Sequence, residues 1–145
     1  MMILGIDPGR SGALALFDKT ALSVTVHDMP DTITGLHNLL CSFPPVKFAV
    51  VEKPFYPRIV GTKNVAVMAE NYGVLRGALQ WRDTPTYDVR PDEWKRALNL
   101  SPDKAASRRK ADQIFPDSAD QWTRVKDDGR AEAALIAWYG LRWAK

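Results

Sequence analysis

The sequence predicts an α/β protein with a mixed sheet of five strands flanked by helices. Three observations predict it: three short strand-like runs open the chain, helical and strand-like segments then alternate, and the last third reads as helices. With 145 residues, 46% of them hydrophobic, there is material for one sizeable core and no room for two, so residues 1–145 are read as a single domain. The ten prolines and nine glycines are dispersed, which argues against a linker, a repeat array or a low-complexity tail.

The elements follow in order. Met2 to Ile6 is an apolar run that ends at Asp7, where Pro8-Gly9 favours an extended residue and then a tight turn. Gly12 to Phe17 and Leu22 to His27 read as two further strands joined through Asp18-Lys19-Thr20, giving an antiparallel meander. Asp31 or Thr32 can cap a helix running to about Cys41, with Ile33, Leu36, Leu39 and Leu40 at helical spacing and Pro44-Pro45 as its stop. Lys47 to Val51 has the continuous apolar character of a strand buried on both faces, and it too ends at an acid, Glu52. Residues 53–62 form a loop with aromatic and basic residues and no period, of a length often associated with function. Asn64 to Trp81 is a long helix with Val67, Met68, Tyr72, Leu75 and Leu79 recurring, and Thr86 to Val89 the last strand. Pro91 opens a short helix, Ser101-Pro102-Asp103-Lys104 another that runs to Phe115, and Asp128 a final one to about Trp143.

Composition narrows the function. A single cysteine, Cys41, excludes an internal disulfide, and with only His27 and His37 no Cys/His cluster can hold zinc. No apolar run reaches the roughly 20 residues that span a bilayer, and Met1 to Asp7 lacks the features of a signal peptide, so the expected location is cytoplasmic. Net charge is +3 and the pI about 9.1, but the bases segregate into residues 53–63, 90–96 and 104–110, a distribution suited to a polyanion.

The acids carry the chemistry. Two apolar strands end at Asp7 and Glu52, and in an open α/β sheet such ends come together. Glu132, Ile136, Tyr139 and Trp143 share one face of the last helix, so Glu132 heads an apolar stripe and points inward. Asp128 lies one turn earlier, offset from that face by about 40°, against about 140° for Asp127, which favours Asp128. Clustered carboxylates repel unless a cation neutralises them, and oxygen-only ligands favour Mg²⁺, with Mn²⁺ substituting; two such ions can serve phosphodiester hydrolysis. The expectation is a metal-dependent nuclease with Asp7, Glu52, Asp128 and Glu132 as both catalytic and metal-binding residues.

Four segments resemble a known family. Ile3-Leu4-Gly5-Ile6-Asp7-Pro8-Gly9-Arg10-Ser11-Gly12-Ala13-Leu14-Ala15 is similar to the opening strand of RuvC-type Holliday-junction resolvases (crossover junction endodeoxyribonucleases), which belong to the ribonuclease H-like superfamily. Val50-Val51-Glu52-Lys53-Pro54-Phe55 resembles their second acidic strand, Val89-Arg90-Pro91-Asp92-Glu93-Trp94-Lys95 the segment before a helix, and Asp128-Gly129-Arg130-Ala131-Glu132-Ala133-Ala134-Leu135-Ile136-Ala137 the last acidic helix. The resemblance implies a ribonuclease H-like fold, a homodimer in a bacterial cell or a virus-infected bacterial host, and paired metal-dependent cuts across four-way DNA that leave 5′-phosphate and 3′-hydroxyl ends. It makes Asp7, Glu52, Asp128 and Glu132 the metal-binding acids, with two ions per site. Many relatives carry Asp where Glu132 stands and place the preceding acid where this chain has Gly129, so the choice between Asp127 and Asp128 stays open. Phe55 and Tyr56 resemble the aromatic loop that enters the junction, where stacking is worth roughly 1–3 kcal/mol per base. Lys53, Arg58, Lys63, Lys95, Lys104, Arg108 and Lys110 are the expected DNA-contacting bases, with Arg109 beside them, and the helix from Asn64 resembles the family's dimer helix. Trp94, Trp122 and Trp138 are assigned to the core. The rival readings are other branched DNA or structured RNA as substrate, and a protein that binds junctions without cutting them.

Overall fold

A computed structural model describes residues 1–56 and 61–145. The opening meander is β1 (Met2–Asp7), β2 (Ala13–Asp18) and β3 (Ser23–Asp28). Next come α1 (Ile33–Ser42), β4 (Phe48–Glu52), α2 (Thr62–Trp81), β5 (Thr86–Val89), α3 (Pro91–Ala97), α4 (Ala106–Ile114) and α5 (Asp128–Tyr139). The strands form one sheet in the order β3-β2-β1-β4-β5, antiparallel through the meander and parallel from β1 onward. This is the five-stranded mixed sheet that the sequence predicts.

The register places the acids. Ile6 pairs with Val51 in the parallel β1–β4 ladder, so Asp7 and Glu52 follow as the next residues at the same sheet edge. Glu52 in turn pairs with Val89, and the backbone N–H of Lys53 donates to Val89 O at 2.7 Å, so β5 delivers the start of α3 to that edge as well.

Each sheet face has its own core. On one, α5 lays Ala131, Ala133, Ala134, Ile136 and Ala137 against Ile3, Ala13, Ala15, Phe17 and Val50, with Trp94, Phe115 and Trp122 closing the layer. Small side chains let the helix approach closely, and at Gly5 the approach is closest: a Cβ there would overlap Ala133 O and Ala137 N. On the other face Leu36 and Leu40 of α1 and Leu75 and Leu79 of α2 cover Leu4, Ile6, Leu14, Leu16, Ala49 and Val51.

Several expectations are corrected. Leu22 is not strand: it is exposed in a left-handed turn at φ 52°, and β3 starts after it. The helix expected from Ser101 starts at Ala106, because the Asp103 carboxylate accepts from the backbone N–H of Ala105 and from Arg109, holding that segment as a turn. Helix α5 ends at Tyr139 and tightens into a 3₁₀ turn over Gly140–Trp143. Two further 3₁₀ segments, Pro116–Trp122 and Val125–Asp127, precede it. Ile33, Val67 and Met68, read as members of buried stripes, are exposed. Thr32 is the cap of α1, its hydroxyl accepting from the N–H of Gly35 at 3.0 Å. No helix among the described residues is long and apolar enough to cross a membrane.

Candidate active site

Three of the four predicted acids meet at the sheet edge, and each has one oxygen fixed by the chain. Asp7 Oδ1 accepts from the backbone N–H of Gly9 at 3.2 Å, within the Pro8-Gly9 turn. Glu52 Oε2 accepts from the indole N–H of Trp94 at 2.6 Å. Glu132 Oε1 accepts from the hydroxyl of Ser107 at 3.1 Å and pairs with the Lys95 ammonium at 2.9 Å. Asp7 Oδ2, Glu52 Oε1 and Glu132 Oε2 are the second oxygens of this set.

Electrostatics link the three. Burial, then the charge of Glu132, pushes Asp7 up to about 6, against the opposing effects of the Gly9 N–H and Lys95. Burial, then Asp7, pushes Glu52 up to about 7, while the Trp94 hydrogen bond works the other way and Glu132 adds to the rise. Burial pulls the Lys95 ammonium down, but Glu132, Glu52 and Asp7 together raise it on balance.

The fourth acid is arranged differently. Asp128 Oδ1 pairs with Arg108 Nε at 2.9 Å, both partly buried. Asp127 is turned away from the cluster: it is buried, accepts the backbone N–H of Arg124 at 3.0 Å and pairs with the Arg124 guanidinium at 2.9 Å, which holds it below the usual carboxylate range. Gly129 lies against Asp7, where a Cβ would stand 3.2 Å from Asp7 Oδ2 and would overlap Ser11 O. Position 129 therefore has no room here for any side chain.

The expected DNA-contacting residues divide. Lys53, Phe55 and Tyr56 follow Glu52 and are exposed, Phe55 at 71%. Lys63 is exposed at the start of α2 and Lys104 ahead of α4, while Lys110 is half-buried on α4. Arg108 faces Asp128, and Arg109 pairs with Asp103 at 2.7 Å. Lys95 is half-buried and its ammonium pairs with Glu132. Arg58 lies outside the described residues.

Sequence reading missed Trp94 and Ser107 as partners of acids. Trp94 is fully buried, as assigned, yet its N–H is committed to Glu52. The signal was available: a Trp-Lys pair in a helix that opens from the strand beside β4 must lie near Glu52. Ser107, in a helix known only by its basic residues, gave none. Trp138, assigned to the core, is only partly buried against it.

A carboxylate set of this kind, oxygen donors only, with Asp7 and Glu52 raised first by burial and then by neighbouring carboxylate charge, suits a hard divalent cation. As the side chains stand, no group of three or more His, Cys, Asp or Glu among the described residues is gathered tightly enough to hold a metal ion.

No protein-family model and no curated protein sequence matches the chain. Solved structures do. Thermus thermophilus RuvC in complex with a Holliday junction substrate superposes with a TM-score of 0.67 at 19% identity, covering 99% of this chain and 96% of that one. Thermus thermophilus RuvC in a second structure gives 0.63 at 20%, covering 99% and 97%. The yeast mitochondrial Holliday junction resolvase Ydc2 gives 0.57 at 18%, covering 97% and 78%. With near-complete coverage of both chains at these TM-scores, and a five-stranded mixed sheet flanked by helices, the chain has the ribonuclease H-like fold of RuvC.

Proposed function

We propose that the chain is a divalent-metal-dependent endonuclease that resolves four-way DNA junctions. One observation carries the reading: on the fold of RuvC, Asp7, Glu52 and Glu132 arrive from β1, β4 and α5 at one sheet edge, each with one oxygen tethered, and Asp7 and Glu52 are raised by burial and by neighbouring carboxylate charge. Asp7, Glu52 and Glu132 would hold Mg²⁺, with Asp128 joining if Arg108 releases it to bind a phosphate. When bound, Mg²⁺ would supply Lewis-acid charge for water activation and for the leaving oxygen, and attack of water at phosphorus with the P–O3′ bond breaking would leave 5′-phosphate and 3′-hydroxyl ends.

The protein's own groups prepare that chemistry. Trp94 and Ser107 each hold one oxygen of Glu52 and Glu132, which leaves the second oxygens to close on the ion. Lys104 and Lys110, which among the described residues pair with no carboxylate, and Arg108 place positive charge along α4 for the phosphate backbone. Phe55, exposed three residues after Glu52, offers a ring to an unstacked base. A homodimer through α2, with Val67, Met68 and Trp81 exposed, would present two such sites to one junction.

The test is cleavage of a labelled synthetic four-way junction against linear duplex of the same arms, in Mg²⁺ or Ca²⁺, by the parent and Asp7→Asn. Symmetric, junction-specific nicks that need Mg²⁺ and fall on the order of a thousandfold in Asp7→Asn are expected, since a metal ligand supplies several kcal/mol of transition-state stabilisation. Tight binding without cleavage in Mg²⁺ or Mn²⁺ would make the protein a junction binder. Neither binding nor cleavage would redirect the search to flaps, forks and structured RNA.

A further inference from the structure

The acid cluster already contains a cation. Lys95 reaches it from α3, its ammonium 2.9 Å from Glu132 Oε1 and 5.2 Å from the centroid of the Trp94 ring, while that ring's N–H is on Glu52. The Lys95 side chain is 38% exposed and that of Glu132 20% exposed. The groups that face the ammonium are therefore Glu132 directly, Asp7 and Glu52 through their charge, the Trp94 ring, and Ser107, which shares Glu132 Oε1. No other cation is in the cluster among the described residues: Arg108 belongs to Asp128, and Arg124 and Arg130 to Asp127 and Asp28.

We infer that Lys95 is the resident counter-ion of this cluster, holding Glu132 until a divalent ion displaces it. The inference rests on the metal-dependent reading above and goes beyond it by assigning Lys95 a role toward the ion rather than toward DNA.

Two physical facts drive the displacement. An ammonium and a divalent cation sharing one carboxylate repel at a few ångströms in a partly desolvated site, so the weaker ligand-binder yields. The lysine stem is flexible and has a solvent-side exit, so its head group withdraws without moving α3. Ser107 and Trp94 stay on their oxygens through the exchange and preserve the orientation of Glu132 and Glu52.

The test is Mg²⁺ titration by calorimetry of the parent, Lys95→Met and Lys95→Arg, with melting curves in EDTA and in saturating Mg²⁺. Lys95→Met should bind Mg²⁺ about tenfold more tightly, equivalent to about 1.4 kcal/mol. It should melt a few degrees lower than the parent in EDTA and regain the difference in Mg²⁺. Lys95→Arg, which keeps the charge, should bind no more tightly than the parent. A third measurement needs no variant that folds poorly: the side-chain ¹⁵N resonance of Lys95 in the parent should lose its hydrogen-bonded character at Mg²⁺ saturation. Equal Mg²⁺ affinity in parent and Lys95→Met, or a Lys95 resonance that Mg²⁺ leaves unmoved, would overturn the displacement alone. Absence of Mg²⁺ binding in every variant would overturn the metal-dependent reading together with it.

Discussion

The two faces of the sheet are covered in opposite ways. On the α5 face a helix with eight of its twelve residues buried, most of those eight Gly or Ala, lies directly on β1 and β2. On the other face the twenty-residue α2 buries only Leu75 and Leu79 and leaves Trp81 91% exposed. All three clustered acids belong to the sheet edge and the α5 face, and their partners Trp94, Lys95 and Ser107 come from α3 and α4. The side that holds charged groups near one another is the side whose backbone is most tightly packed, which fixes the elements that carry the acids. The α2 face carries no such requirement and keeps its apolar surface available.

The largest break of this contrast comes at Gly5. A side chain there would occupy the backbone of α5 at Ala133 and Ala137, so Gly5→Val must push the helix off the sheet. Overpacking of a well-filled core costs about 1–3 kcal/mol where side chains yield, and backbone does not yield so readily. The expected loss exceeds about 4 kcal/mol, enough to consume much of a domain's stability, and is read by urea unfolding or by loss of soluble expression.

The second break concerns the acid that this chain lacks. If Gly129 were merely an absent ligand, Gly129→Asp would improve metal binding. The Ser11 carbonyl occupies the place of its Cβ, so the substitution should instead destabilise by about 2–3 kcal/mol and weaken Mg²⁺ affinity by shifting the start of α5 away from Asp7. Unfolding in denaturant and Mg²⁺ calorimetry check both signs.

Such local clearances mark the limit of what the sequence discloses. The strand-end acids Asp7 and Glu52, the inward stripe of Glu132 and the mixed sheet are all legible because they depend on period and on strand polarity, which are properties of one segment at a time. Asp128 is a first-turn residue as expected, but its partner Arg108 comes from twenty residues away, and no period reports that. The same holds for Ser107 on Glu132, and for Lys95, whose basic neighbours Arg90 and Arg96 suggest a DNA-facing surface although its own side chain turns to Glu132. The exposed stripe of α2 misleads for the complementary reason: Val67 and Met68 have the right spacing for burial, yet among the described residues no surface buries them.

The contrast also has a pH signature. Asp7 at about 6 and Glu52 at about 7 are raised above their unfolded values. Protonated, they cost nothing; as pH rises from about 4 to about 7 the unfolded chain releases these protons before the folded one does, so stability in EDTA falls across that window. Asp28 and Asp127, held low by their arginines, act in the opposite direction and only at more acid pH. The melting temperature in EDTA should drop by several degrees between pH 5 and pH 7, on the order expected for about 1–2 kcal/mol. Saturating Mg²⁺, which binds the ionised acids, should flatten or reverse the slope, and Glu52→Gln should flatten it without metal.

The smallest effect lies on α2, and it separates two explanations of that helix. Among the described residues, nothing beyond its own stretch of helix lies within 4 Å of where a Cβ on Gly77 would stand, so Gly77→Ala adds no clash with them and gains helix propensity. If the face is simply solvated, unfolding should show a gain of about 0.5–1 kcal/mol that is independent of protein concentration. If a second copy seats on α2, as the dimer proposal holds, the added methyl meets the partner helix, and the gain seen at low concentration should shrink or change sign as concentration rises and the dimer forms. Measuring the same variant across a hundredfold range of concentration therefore asks whether the loose packing of this face is a property of the protomer or of a protomer without its partner.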